Sequence, residues 1–179
     1  TTLLKPQTME ISMPSDKEDV KEENQSQVAA SKAITILIDE NNTLYYFKGK
    51  PDGGTDIPNE GKLFATTYGK NGLRKVLLES NPQAVKAVQA LKDKYARMVT
   101  SNVQQEQKQK AQFKEELNKI KNAEYTPSVI IKASDKATYD NLIQVLDEMQ
   151  ICSIGRYVID KFADGDRLKI EALKNGTAQ

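Results

Sequence analysis

A chain of 179 residues with 38% hydrophobic and 28% charged side chains can bury one core and still leave a share of itself solvated all round. Its 26 Lys and Arg balance 25 Asp and Glu, so no global field draws it to nucleic acid. One Cys and no His exclude a disulfide framework, a multi-cysteine metal site, the usual zinc triads, and the Ser/His/Asp and Cys/His nucleophile arrangements. No cofactor or metal is expected.

No apolar run approaches the roughly twenty residues of a membrane helix, and no signal-peptide pattern is present. The chain opens Thr1-Thr2-Leu3-Leu4 instead of with Met, which points to a fragment of a longer protein. Residues 1–14 carry Pro6 and Pro14, which favour extended backbone, and Met9, Ile11 and Met13 alternate as in a strand that lays one face on something. Residues 15–31 are polar with an acidic excess, a linker by composition, so 1–31 is expected to be an extended, flexible lead-in to a domain at 32–179.

Within that domain Ile34, Ile36 and Ile38 alternate with Thr35, Leu37 and Asp39, which predicts a strand. Asp39-Glu40-Asn41-Asn42 is turn chemistry, and Leu44-Tyr45-Tyr46-Phe47 supplies the returning strand of a hairpin. Residues 48–72 are a glycine-rich loop with a short extended piece at 63–68. Its Gly61-Lys62 is followed by Leu63, and Asp56 stands where a P-loop would place its first glycine, so the phosphate-binding spacing fails twice.

A short helix is predicted over residues 73–80, and Asn81-Pro82 restarts one with Asn as cap and Pro at the first helical position. Val85, Val88, Leu91, Tyr95, Met98 and Val99 form its stripe, and Phe113, Leu117 and Ile120 resume one after a polar, Gln-rich stretch. Two antiparallel helices joined near residues 100–107, or one long bent helix, both fit. Lys and Arg outnumber Asp and Glu nine to four between Lys86 and Lys121, a solvated helix face or a surface for acidic polymers.

The best-patterned stretch is 126–161, a strand, a helix and a second strand. Val129 to Ala133 is a short apolar run opened by Pro127; Tyr139, Leu142, Ile143, Leu146 and Met149 make one helical stripe. Ser134 and Asp135 are candidate caps, Gly155 a candidate helix stop, and Tyr157, Val158 and Ile159 belong to the returning strand. Asp164-Gly165 reads as a turn, and Leu168, Ile170, Ala172 and Leu173 fit a strand or a helical turn equally. The fold class is α+β: a small mixed sheet covered by helices on one face, with a hairpin-like helical insertion at 49–125.

Catalysis would have to rest on carboxylates, Lys or Tyr. Asp135 and Tyr139 are the candidates, and Asp135 has the ordinary alternative of a cap that complements the helix dipole. Asp147 and Glu148 are adjacent on a helix, point in different directions and make a poor acid/base pair.

The extended Met9-Glu10-Ile11-Ser12-Met13-Pro14, the strand 34–38 with its Asp-Glu-Asn-Asn turn and Leu44-Tyr45-Tyr46, then Val129-Ile130-Ile131-Lys132-Ala133-Ser134-Asp135, Tyr139, and Val145-Leu146-Asp147-Glu148-Met149 with Ile154 resemble the ExbD/TolR biopolymer-transport family. The insertion 49–125 departs from its shorter members. The resemblance implies the periplasmic domain of a single-pass inner-membrane protein whose membrane helix lies outside this sequence. It implies a non-enzyme that pairs with itself inside an ExbB-like channel and passes proton-motive work to a TonB-like partner. A TolR-like peptidoglycan-binding role in envelope integrity is the alternative. Met9, Ile11, Met13 and Pro14, as an extended segment, and Tyr157, Val158 and Ile159, as a sheet edge, are the candidate partner-binding residues.

Overall fold

The computed structural model describes residues 32–54 and 57–176. The described residues divide into two compact units, one within residues 32–67, 128–142 and 157–176, the other of Tyr68–Pro127 and Ile143–Arg156.

The first unit is built on a mixed sheet. Strand β1 (Ala33–Ile38) reverses through Asn41 and Asn42, both in the left-handed region at φ 57° and 59°, into the antiparallel β2 (Leu44–Lys48). Asn adopts that conformation more readily than most residues, which is why this turn can be so tight. A three-residue β3 (Phe64–Thr66) extends the sheet beyond β2. On the other side β4 (Ser128–Ala133) pairs parallel with β1, and β5 (Tyr157–Lys161) parallel with β4. The strand order is β3-β2-β1-β4-β5.

Every residue of β1 is buried, Thr35 included, so both faces of the central strand are shielded from water. On the face of Leu37 the cover is the last helix of the chain, Asp164–Lys174: Leu37, Tyr45, Phe47, Leu63 and Ile170 form one cluster, with Phe162 and Leu173 packed against it. The Asp164-Gly165 turn of the sequence reading is therefore the first turn of a helix. Ala163 N–H donates to Asp166 Oδ2 at 2.8 Å, and acids at positions 164 and 166 complement the dipole. Ile170 and Leu173 face inward three residues apart, while Leu168 is 69% exposed.

The second unit is helical. It contains α1 (Leu73–Glu79), α2 (Pro82–Ala96) and α3 (Val103–Lys121). The choice left by the sequence between a hairpin and one bent helix falls to the hairpin. Asn102 Oδ1 accepts from Gln105 N–H at 2.8 Å and restarts the chain as α3. Tyr95 and Phe113 then meet edge to face, centroids 5.3 Å apart, and Tyr95 Oη donates to Glu116 at 2.6 Å. Asn81 occupies the cap position before Pro82, yet its side chain does not cap. It is fully buried, and its Nδ2 donates instead to Cys152 O at 3.4 Å.

Helix α4 (Tyr139–Ile151) runs from the first unit into the second, and the final helix is α5 (Asp164–Lys174). Ser134 and Asp135 do not cap α4; the cap is Thr138. Asn141 N–H donates to Thr138 Oγ1 at 3.2 Å and Thr138 N–H to Asn141 Oδ1 at 3.1 Å, a reciprocal box that satisfies two end groups at once. Ser134 instead belongs to the preceding turn, where Lys136 N–H reaches its Oγ at 3.3 Å. Nor does Gly155 stop the helix. Ser153 takes the left-handed position at φ 58°, and Ile154 N–H returns to Met149 O at 2.9 Å.

Candidate functional site

The open edge of the sheet is the first feature. In the order β3-β2-β1-β4-β5 the outermost strands among the described residues are β3, with three residues, and β5, with five. Such a strand leaves one row of backbone N–H and C=O groups without a ladder partner. Val158 is 43% exposed on it, and Tyr157 and Ile159 are half-buried. The expected site strand is thus an edge strand. Met9, Ile11, Met13 and Pro14 lie outside the described residues. Asp135 is exposed in the turn after β4, and Tyr139, 58% exposed, is the first residue of α4; neither belongs to β5.

A set of paired charges around the C-terminal ends of β1 and β4 was not foreseen. Asp39, fully buried, accepts Arg167 Nη1–H at 2.7 Å on Oδ2 and Arg167 Nη2–H at 2.9 Å on Oδ1. Ser134 Oγ adds a third bond to Oδ1 at 2.7 Å. The Arg167 bonds hold the Asp39 carboxyl well below the usual carboxylate range, Ser134 helps, and both together outweigh the upward push of burial. Beside it Lys132 Nζ pairs with Asp166 Oδ2 at 3.2 Å, with both side chains largely shielded. Each of these groups already has its counter-charge, so the arrangement fixes α5 to the sheet and offers no poised acid or base. A lysine inside an otherwise apolar strand was the one available signal, since Lys132 stands in register with Leu37.

The glycine-rich loop also has a cation. Lys169 Nζ donates to Pro51 O at 3.0 Å and Gly61 O at 2.7 Å, and sits 5.1 Å from the Phe47 ring centroid. Carbonyl oxygens, not N–H groups, converge there, the wrong polarity for a phosphate. In the helical unit Glu148, buried, is held bidentately by Arg74 at 2.9 Å for both bonds. Cys152 is buried nearby, its Sγ 3.9 Å from Arg74 O, and burial pushes its thiol up to about 12. Among the described residues there is no group of three or more side chains that could hold a metal ion.

A family model described as Biopolymer transport protein ExbD/TolR matches residues 1–163. The chain belongs to the ExbD/TolR family.

The match takes in β1 to β5 and the helical unit, and ends at Ala163, one residue before α5. The helix that brings Arg167 to Asp39 and Ile170 to the core therefore lies beyond the stretch that the ExbD/TolR model describes. ExbD/TolR proteins are transport-associated and not enzymes, and typically consist of a membrane anchor with a periplasmic domain. No helix among the described residues is long and apolar enough to cross a membrane. No curated protein and no solved structure matches the chain.

Proposed function

We propose that this chain is the periplasmic part of an ExbD-like subunit, coupling proton flow through an ExbB-like inner-membrane channel to a TonB-like protein that spans the periplasm. The observation that carries the mechanism is the five-residue edge strand β5 in a chain of this family. An edge strand accepts another strand through backbone bonds, which supply affinity whatever the incoming sequence, while side chains such as Val158 tune which strand fits. Met9 to Pro14, by its alternation and its prolines, is the segment of this chain with the pattern for such pairing; a partner segment of the same pattern would compete with it. A competition of that kind turns the arrival of a partner into a change of state.

Homodimer formation and single-pass anchoring in the inner membrane are part of the same proposal. Asp135 and Tyr139, both exposed past the end of β4, are proposed as contacts of the assembled complex, in place of the capping role that Thr138 fills.

The test is retention of this chain on an immobilised TonB-like periplasmic fragment, compared with sedimentation on purified peptidoglycan. Retention by the protein, lost when Val158→Lys charges the edge, supports the proposal. Sedimentation with peptidoglycan and no retention by the protein would replace it with the TolR-like reading, which the basic excess of the helical hairpin favours.

A further inference from the structure

The turn between α2 and α3 exposes apolar side chains, with Val99 and Val103 largely open to solvent and Met98 partly covered beside Gln112 and Glu115 of α3. Val99 is 89% exposed, Val103 67% and Met98 38%, within six consecutive positions of chain. Isolated exposed apolar residues are common on any surface, but three together at a tip are not explained by the packing of the hairpin, whose contacts run through Leu91, Tyr95 and Phe113.

Charge separates the possible occupants. The balanced whole hides a segregation: nine Lys and Arg stand against four Asp and Glu between Lys86 and Lys121, which leaves the rest of the chain net acidic. Arg97 adjoins the apolar turn on one side and Lys108 follows it on the other, both exposed. The one acid between them, Glu106, is paired with Lys110 at 3.1 Å, and an apolar turn flanked by Arg97 and Lys108 suits a surface whose outer layer is anionic and whose next layer is hydrocarbon. Nucleic-acid bases are recognised through exposed aromatic faces, and Tyr95 in the hairpin is spent on Phe113 and Glu116. A stable protein interface needs about 800 Å² from each partner, far more than three small side chains offer.

We propose that the turn between α2 and α3 is a membrane-contacting tip, which seats Met98, Val99 and Val103 at the headgroup boundary of an anionic lipid surface while Arg97 and Lys108 meet the phosphates. The site needs no partner protein, so its failure and that of the coupling role are read separately.

The experiment is co-sedimentation of the 179-residue chain with phosphatidylcholine vesicles, with and without phosphatidylglycerol. The expected result is binding to the anionic vesicles that weakens as salt shortens the Debye length. Val99→Ser with Val103→Ser should weaken it about tenfold or more. Arg97→Gln should weaken it by about fivefold, the share of one base at an anionic surface. All three positions are exposed, so an unchanged helical circular dichroism spectrum is expected and separates loss of binding from loss of fold. Absence of binding to anionic vesicles, equal binding to phosphatidylcholine alone, or undiminished binding of the double serine variant would each overturn the proposal. Sedimentation with peptidoglycan in place of vesicles would do the same.

Discussion

Arg167 grips Asp39 with two hydrogen bonds, 2.7 and 2.9 Å long, across a separation of 128 residues in sequence. The Asp39 side chain is fully buried, and the Arg167 side chain is 32% exposed. Such a pair contributes less than its Coulomb energy suggests, because both ions gave up hydration to form it, but breaking it leaves a buried charge without compensation. Arg167→Leu should therefore destabilise the protein by about 3 kcal/mol, the lower end of the usual range since water reaches the arginine side. Urea unfolding measures it. Adding Asp39→Asn to Arg167→Leu should recover part of the loss, and no recovery would mean that the arginine acts through packing alone.

The same pair sets a pH dependence. The folded-state pKa of Asp39 lies below its unfolded value, so the stabilisation is fully present above the ordinary carboxylate range and is lost as the pH falls through that range toward the folded-state value. Stability should decline from about pH 5 downward, and less steeply in Asp39→Asn. Unfolding midpoints measured between pH 3 and 7 check this; parallel curves for the two proteins would exclude Asp39 as a source.

Cys152 should be inert in the folded chain. Burial pushes its thiol up to about 12, with Glu148 adding to the effect, so little thiolate forms near neutrality. Reaction with an aromatic disulfide reagent at pH 8 should run more than about a hundredfold slower than in denaturant. A fast native reaction would show that the α4 end opens readily.

Gly155 should resist any side chain, although its backbone is not in the left-handed region. A Cβ there would stand 2.9 Å from Lys121 Cβ and 3.0 Å from Asn122 Oδ1, closer than those atoms tolerate, and Gly155 N–H already donates to Lys121 O at 3.0 Å. Gly155→Ala should cost about 1 to 3 kcal/mol, read from thermal or urea unfolding.

These residues show which parts of the fold were legible in the sequence. The apolar alternation of β1 and the 3.6-residue stripe of α4 are local patterns, and local patterns are readable. Helix α5 was ambiguous because Asp164-Gly165 is equally good turn chemistry; what decides for a helix is the pocket beside Leu37 and Phe47 that Ile170 fills. The helix start at Thr138 was misplaced because Ser134, Asp135 and Thr138 all have capping oxygens, and only the course of the chain leaving β4 selects among them. Asp39 looked like a turn former and nothing more, since its partner comes from the far end of the chain. As for the candidate site, the composition of β5 marks it as a strand, whereas its place at the sheet edge was expected only through the family resemblance, because strand order is contained in no single stretch of sequence.

That edge carries the central claim, and amide hydrogen exchange tests it most directly. When a TonB-like periplasmic fragment is added, the amides of Tyr157 to Lys161 should gain protection, and Val158→Lys should abolish both the protection and the binding. Binding of the fragment with no added protection in β5, or binding unchanged by Val158→Lys, would contradict the account.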